Sequence, residues 1–262
     1  MLSLDGGGAK GFYTLGILKE IEAILGRPLC EAFDLVFGTS TGAIIAALVG
    51  LGKSIDEIHD LYRTNVVTVA KEKRRSEKSA ALEKLSADIF GDTKFDAFKT
   101  RVGIVATRWV LETPMIFKND LAQVHGRTGT FIPGFGCTIG DAVVASCSAF
   151  PFFDKKTVVT ASGDSVELID GGYCANNPTL YSIADATAAL QVPRDKVRVV
   201  SLGVGVYPEP KRSLFEAAYW SKYFLSVQLL QKTLEINTQS MEQLRKILFK
   251  DVPTVRRWDR DL

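Results

Sequence analysis

Histidine is scarce in this sequence, because the 262 residues include only two, His59 and His125. Both lie among charged or polar neighbours (D-E-I-H-D and Q-V-H-G-R), which is typical of surface histidines. Cysteine is also sparse, and no two of the four cysteines form a C-x-x-C pair, so the sequence does not favour a zinc site. We expect reduced, mostly buried thiols, as in a cytosolic protein, at Cys30, Cys137, Cys147 and Cys174.

Long apolar runs and a strong net charge are missing as well. The longest apolar stretch, Ala43–Leu51, is too short to span a bilayer, and the N-terminus carries no basic or apolar leader. A net charge of +2 gives no field that would attract nucleic acid. We therefore expect a cytoplasmic protein with no nucleic-acid partner, which meets membranes only peripherally.

Short apolar strands alternate with segments of helical periodicity along most of the chain. The predicted strands are Leu2–Leu4, Phe33–Phe37, Arg101–Thr107, Val166–Ile169 and Val197–Leu202. The predicted helices are Phe12–Leu25, Ala43–Leu51, Ser54–Tyr62, Gly140–Ser146 and Ser213–Phe249. This alternation predicts one α/β domain over residues 1–262, a three-layer α/β/α sandwich with a largely parallel central sheet and a mostly helical part over residues 213–262.

The first motif with chemical meaning is Gly38-Thr39-Ser40-Thr41-Gly42. A serine on a tight turn between an apolar strand and an apolar helix is held exposed, and the following helix directs its positive end at the hydroxyl. Small flanking residues fit because such a turn is crowded. The pattern predicts a nucleophile at Ser40, although a serine in an ordinary glycine-rich turn remains the alternative.

A nucleophilic serine needs a base, and no histidine follows Asp170 in this chain, as the usual order Ser, Asp, His requires. The sequence therefore favours a carboxylate that acts on the serine directly. Asp170 comes after an apolar strand and before two glycines, and partial burial there would raise its pKa and make it a better base. An Asp-Gly turn of a hairpin is the alternative.

The third motif is the glycine-rich run Asp5–Gly11 (D-G-G-G-A-K-G). Three glycines before a helix expose successive N–H groups, which suit an oxyanion. The run also fits a dinucleotide pattern through Gly6, Gly8 and Gly11, but no acidic residue stands at the end of the second strand, where that pattern needs one.

Together with A-S-C-S-A-F-P at 145–151 and N-N-P at 176–178, these motifs resemble the patatin-like phospholipase family over roughly residues 1–205. The resemblance implies lipid acyl hydrolysis of the phospholipase A type at a membrane surface, with no metal or cofactor. Carried over, Ser40 is the nucleophile, Asp170 is the general base, and an oxyanion hole is formed by the N–H groups of Gly6, Gly7 and Gly8.

Two positions depart from the family pattern: Lys10 stands where arginine is frequent, and Val204 where threonine is frequent. The chain stops soon after residue 255, where similar bacterial members continue, so a truncated C-terminus stays open. The chain also resembles patatin-like effectors of bacterial anti-phage systems, which implies a cyclic-nucleotide activator. No residue independently indicates a nucleotide site, and self-association into a homo-oligomer stays open too.

Rival interpretations remain at this point. The glycine-rich run could serve a non-catalytic nucleotide-binding module, and the dyad could support acyl transfer or peptide cleavage. The charge run Lys71–Lys78 is expected to be a solvated helix face or mobile loop rather than a lipid-binding patch. The segment Thr64–Asp92 is the candidate for a lid over the site, although its pattern favours the alternative of a fixed surface helix that packs on the sheet.

Overall fold

The architecture is one mixed sheet surrounded by helices, seen in a computed structural model that describes residues 1–126, 128–204 and 221–257. Its strands are β1 (Leu2–Leu4), β2 (Leu35–Thr39), β3 (Arg101–Arg108), β4 (Thr113–Lys118), β5 (Lys156–Val159), β6 (Ser165–Asp170), β7 (Val199–Leu202) and β8 (Thr254–Arg257). Its helices are α1 (Gly11–Leu25), α2 (Leu29–Ala32), α3 (Thr41–Gly50), α4 (Ile55–Lys71), α5 (Arg75–Phe90), α6 (Ile139–Cys147), α7 (Gly172–Ala175), α8 (Thr179–Ala184) and α9 (Ser221–Leu248).

The central part of the sheet is parallel. Strands β3, β2, β1, β7 and β8 are neighbours in that order, and each pair between them is parallel. The prediction of a largely parallel sheet is thus confirmed. The structure adds an antiparallel part, because β4 and β6 run opposite to β3, and β5 runs opposite to β6.

Strand β3 has three partners, and two of them share one edge. Strand β2 pairs with residues 101–105 and β6 with residues 106–108, whereas β4 pairs with residues 103–108 and so occupies the opposite edge. Since β2 is parallel and β6 antiparallel to β3, their carboxyl ends meet head-on at Val105 and Ala106. This meeting point positions the functional site.

Helices cover both faces of the sheet. Along β2, Val36 joins a large apolar cluster with α1, α3, α4, α5 and α6, while Leu35 and Phe37 join a smaller cluster on the other face. This alternation follows from the two-residue period of a strand. The expected three-layer α/β/α sandwich is confirmed; that the chain is a single domain stays a prediction.

Several elements differ from the sequence prediction. Strand β2 begins at Leu35 rather than Phe33, because the short helix α2 ends just before it. Strands β4, β5 and β8 were not predicted: β4 and β5 form hairpins with the neighbouring strands β3 and β6, and β8 pairs with the distant strand β7. Within the C-terminal part, α9 confirms the predicted helix, but residues 254–257 form a strand beside β7. Residues 213–220 and 258–262 of that prediction lie outside the described residues.

Candidate active site

Ser40 stands on a strained turn between β2 and α3. Its backbone has φ 53° and ψ −123°, a left-handed conformation that side-chain-bearing residues rarely adopt. The flanking glycines make this turn sterically feasible. A Cβ on Gly38 would lie 2.2 Å from the Gly42 carbonyl oxygen, and one on Gly42 would lie 2.3 Å from the Leu4 carbonyl oxygen. The G-x-S-x-G pattern therefore has a steric cause in this fold.

Asp170 is the hydrogen-bond partner of Ser40. The serine Oγ donates to Asp170 Oδ2 at 2.7 Å, and the N–H of Gly172 donates to the other carboxylate oxygen at 2.7 Å. Only 3 % of Asp170 is exposed. Burial raises the pKa of Asp170 to about 6, although the two hydrogen bonds favour the charged form. A carboxylate with this pKa can accept a proton near neutral pH.

Asp170 reaches Ser40 through the head-on meeting of β6 with β2. Asp170 pairs with Ala106, next to the Val105 that pairs with the end of β2. Its backbone N–H donates to the Ser148 carbonyl oxygen at 2.9 Å, and its carbonyl oxygen accepts from Thr107 Oγ1 at 2.9 Å. The alternative of a hairpin turn at Asp170 is wrong, because the chain enters helix α7 directly after it.

The glycine-rich run lies against Ser40. A Cβ on Gly6 would lie 3.1 Å from the Ser40 Cβ and 2.5 Å from Asn176 Oδ1, so the loop approaches as closely as glycine allows. The assignment of the oxyanion hole to Gly6, Gly7 and Gly8 stays a prediction. The Gly6 N–H donates to the Asn176 carbonyl oxygen at 3.0 Å, so in this conformation it holds the loop and is not free for an oxyanion.

The other end of the run is fixed by two hydroxyl groups. The Gly8 carbonyl oxygen accepts from Thr41 Oγ1 at 2.8 Å and from the Tyr62 hydroxyl at 2.6 Å. Gly8 itself has φ 59°, where glycine is favoured. The loop that precedes α1 is therefore tied to the first residue of α3, next to Ser40.

Ser146 is a site residue that the sequence analysis did not assign individually. It is completely buried in α6, and its Oγ accepts from the Ser40 N–H at 2.8 Å and donates to the Val105 carbonyl oxygen at 2.5 Å. The hydroxyl thus connects the strained turn to β3. The small-residue stretch 145–151 was the only sequence signal for it.

Helix α9 also reaches the site, which the sequence did not reveal. Asn237 Oδ1 accepts from the Asn176 N–H at 3.1 Å, and Thr238 Oγ1 accepts from Asn176 Nδ2 at 2.8 Å. The second asparagine, Asn177, donates to Asp5 Oδ1 at 2.7 Å. The asparagine pair therefore links the glycine-rich run to the segment after Asp170 and to α9.

Neither histidine touches these groups. His125 Nε2 lies 2.8 Å from Asp185 Oδ1, and the exposed ring of His59 contacts Phe12 edge-on. Within residues 1–126, 128–204 and 221–257, no group of three or more His, Cys, Asp or Glu side chains could hold a metal ion. No helix in this part of the chain is long and apolar enough to cross a membrane.

Comparisons with known proteins agree with these motifs. The model of the patatin-like phospholipase family matches residues 2–183. The cUMP-AMP-activated phospholipase of Escherichia coli is 62% identical over 256 residues, which are 98% of this chain and 79% of that protein. The cGAMP-activated phospholipase of Vibrio cholerae is 30% identical, over 80% of this chain and 64% of that protein. The one from Escherichia coli strain TW11681 is 28% identical, over 85% of this chain and 67% of that protein. This chain therefore belongs to the patatin-like phospholipase family and is a lipid ester hydrolase.

Proposed function

We propose that this protein cleaves the acyl esters of membrane phospholipids through a Ser40–Asp170 dyad, as a phospholipase of the A type. The observation that carries the proposal is the 2.7 Å hydrogen bond from Ser40 Oγ to Asp170 Oδ2 on a strained strand-to-helix turn. Such a turn presents the hydroxyl to a substrate, and the carboxylate is already hydrogen-bonded to the proton that it must remove.

The reaction follows from this geometry. Asp170 takes the hydroxyl proton as Ser40 Oγ attacks the ester carbonyl carbon, which gives a tetrahedral oxyanion. The intermediate collapses, the C–O bond to the lysolipid breaks, and Asp170 returns the proton to the departing alkoxide. A water molecule then attacks the acyl-serine carbonyl carbon with Asp170 as base again. The bond from that carbon to Ser40 Oγ breaks and Asp170 returns the proton to Oγ, so that one ester and one water yield a lysolipid and a fatty acid.

The oxyanion is assigned to the N–H groups of Gly7 and Gly8. The Gly6 N–H is bonded to Asn176, so in this proposal Gly6 holds the loop rather than binding substrate. The first turn of α3 begins at Thr41 and adds the positive end of a ten-residue helix at Ser40. Removing an oxyanion donor from such sites typically costs about 100- to 1000-fold in kcat.

The activator is assigned by similarity. The relative with 62% identity is named for activation by cUMP-AMP, and the more distant ones are named for cGAMP. We extend cUMP-AMP activation to this chain, in line with the anti-phage effector resemblance of its motifs. Such an effector would act in the cytoplasm, at the inner face of the membrane. Self-association remains a prediction.

Lipid mass analysis tests the proposal. Phospholipid vesicles are incubated with the parent protein or Ser40→Ala, with cUMP-AMP, with cGAMP, or with neither nucleotide. We expect the parent, but not Ser40→Ala, to release free fatty acid and lysolipid, and to release most of both when cUMP-AMP is present. Acylated acceptors in place of free fatty acid would indicate an acyltransferase. Equal hydrolysis by Ser40→Ala would overturn the dyad, and equal stimulation by cGAMP would overturn the choice of activator.

A further inference from the structure

The turn between β3 and β4 has an unusual composition. Residues 109–112 join the two strands, and Trp109, Val110 and Leu111 are 42%, 77% and 62% exposed. Hairpin turns normally use Gly, Asn, Asp, Ser or Pro, whose backbones suit the turn. Here Glu112 takes φ 53° without being glycine. Turn geometry does not explain these apolar side chains, and burial does not explain Val110 and Leu111; we call Trp109, Val110 and Leu111 the apolar tip.

The apolar tip is continuous with a basic surface. The rings of Trp109 and Phe150 lie 5.5 Å apart, and Lys155 Nζ stands 4.6 Å from the centre of the Trp109 ring. Arg75 lies 5.9 Å over Phe150, which connects the surface to the start of α5 and to the charge run 71–78. That run has five basic and two acidic side chains, a net charge of +3.

The apolar tip also lies close to the dyad. Asp170 pairs with Ala106, and the N–H of Trp109 donates to the Glu167 carbonyl oxygen, so the tip continues the pairing of β3 with β6. At ~3.3 Å per residue, Trp109 is about 10 Å along β3 from Ala106. Phe150 lies two residues after Ser148. The Ser148 carbonyl oxygen accepts from the Asp170 N–H, and the Phe150 carbonyl oxygen accepts from the Tyr173 hydroxyl.

We propose that the apolar tip, flanked by Lys155 and the charge run 71–78, is the surface by which this protein docks on a bilayer that contains anionic lipid. The proposal rests on the proposed phospholipase function and names the docking surface of that site. Tryptophan favours the membrane interface, and a turn that presents Trp, Val and Leu inserts among headgroups while the flanking cations meet lipid phosphates. The charge run is mostly exposed, as expected from the sequence, and the proposal adds that this exposed face meets lipid.

Charge complementarity selects a membrane over another protein as the occupant. Lys155 and Arg75 pair with Glu167 and Asp154, both at 2.7 Å, Arg74 pairs with Glu77 at 3.6 Å, and Glu112 is exposed next to the apolar tip, so part of the positive charge is neutralised. The exposed cations of the charge run, such as Lys73, supply the remaining positive charge. An apolar centre with a diffuse basic rim fits a fluid anionic surface, which needs no matching shape.

Co-sedimentation with vesicles tests the docking surface separately from catalysis. The assay uses Ser40→Ala protein, which leaves the lipids intact, and vesicles of phosphatidylethanolamine with phosphatidylglycerol. We expect Trp109→Ser, Val110→Ser and Leu111→Ser combined to lower the partition coefficient at least about tenfold, and Val110→Ser alone to lower it several-fold. The matched control is Ile24→Ser, since Ile24 is 81% exposed at the far end of α1.

Charge reversal tests the basic flank. We expect Lys73→Glu to weaken binding to these vesicles and to reduce the dependence of binding on salt, whereas Lys99→Glu changes neither. Lys99 is exposed and precedes β3, more than about 20 Å from the apolar tip along that strand. Pure phosphatidylcholine vesicles should bind all forms weakly.

Hydrolysis of a soluble short-chain ester separates the two proposals. With Ser40 intact, the triple tip variant should hydrolyse the soluble ester within about twofold of the parent rate but should lose hydrolysis of vesicle lipids. Three outcomes would each overturn the docking surface. They are equal vesicle binding by the tip variant and Ile24→Ser, no vesicle binding by the parent, and loss of soluble-ester activity in the tip variant. Absence of ester hydrolysis by the parent, with tip-dependent vesicle binding intact, would instead overturn the catalytic proposal.

Discussion

The hydroxyl oxygen of Ser146 lies 2.8 Å from the backbone nitrogen of Ser40 and accepts its hydrogen bond. The same hydroxyl donates to the Val105 carbonyl oxygen, so one buried side chain joins the strained turn to the strand behind it. Because Ser40 holds an unfavourable left-handed conformation, something in the surrounding structure must stabilise it. Ser146 supplies part of that stabilisation.

We therefore expect Ser146→Ala to lower kcat on a soluble ester about tenfold with little change in KM, because the nucleophile loses its fixed orientation while the substrate pocket is unchanged. The unpaired Ser40 N–H should also cost about 1–3 kcal/mol of unfolding free energy. The control is Ser148→Ala, because the Ser148 hydroxyl donates to the Val144 carbonyl of α6. Equal kcat in both variants would show that Ser146 does not position Ser40.

The dyad predicts that Asp170→Asn is nearly inactive, with a loss on the order of 10⁴-fold in kcat, because an amide cannot take the Ser40 proton. His59→Ala and His125→Ala should stay within a few-fold of the parent, since His125 bonds to Asp185 and His59 packs against Phe12. Initial rates on a short-chain ester decide this. A histidine variant as inactive as Asp170→Asn, yet folded by circular dichroism, would contradict the dyad. A chelator should not change the parent rate.

The activity should depend on pH through Asp170. Since the carboxylate must be ionised to act as base and burial raises its pKa to about 6, kcat/KM should fall tenfold per pH unit below about 6 and level off above it. The measurement is a pH profile of kcat/KM on a soluble ester. If kcat/KM already reached its upper plateau by about pH 4.5, the raised pKa of the buried base would be contradicted.

The same pKa affects stability with the opposite sign. The Asp170 pKa is higher in the folded protein than its ordinary value of 3.8, so its ionisation destabilises the folded state above pH 6, by about 3 kcal/mol. This cost disappears as the pH falls from about 6 to about 4. Asp170→Asn should therefore be more stable than the parent at pH 7.5, and denaturant titrations should show the difference narrowing toward pH 4. A constant difference would argue against a raised pKa.

Helix α9 should support the site through Asn176. Thr238→Val keeps the shape of the side chain but removes the acceptor of Asn176 Nδ2, so we expect kcat to fall about tenfold, as for a buried hydrogen bond worth ~1–2 kcal/mol. Thr238→Ser should restore the rate. Thr233→Val is the control, because the Thr233 hydroxyl donates to the Leu229 carbonyl on an exposed part of α9. If kcat were unchanged in Thr238→Val, the hydrogen bond from Asn176 to α9 would not contribute to catalysis.

Hydrogen exchange tests the candidate lid at Thr64–Asp92. In the structure, Leu82, Leu85 and Phe90 of α5 are buried in the main core, and Ser79 accepts from the Asp154 N–H at 2.8 Å. We therefore expect slow exchange over residues 82–90 with and without vesicles or cUMP-AMP, as the fixed-helix alternative requires. Vesicles should slow exchange at residues 71–78 and 109–112. Faster exchange across 82–90 on activation would instead support the lid.

The features that the sequence determined by itself are those with local causes. Gly38 is required within the turn itself, because a Cβ there would lie 2.2 Å from the Gly42 carbonyl oxygen, and the absence of a histidine after Asp170 is what led to the prediction of a carboxylate base. Alternating apolar segments determined the layers of the fold for the same reason, since strand and helix periodicities act over neighbouring residues. The order of the motifs along the chain then identified the family.

The family resemblance had already paired Ser40 with Asp170, but only the tertiary structure shows how such distant groups meet. Ser40 is 130 residues from Asp170 and 106 from Ser146, and nothing in the local pattern shows that β6 runs antiparallel and ends against β2. Tertiary packing likewise brings Asn176 to the Gly6 N–H and α9 to Asn176. It also places the apolar tip beside the charge run. Strand direction and register depend on how the whole sheet pairs, so they appear only once the chain is folded.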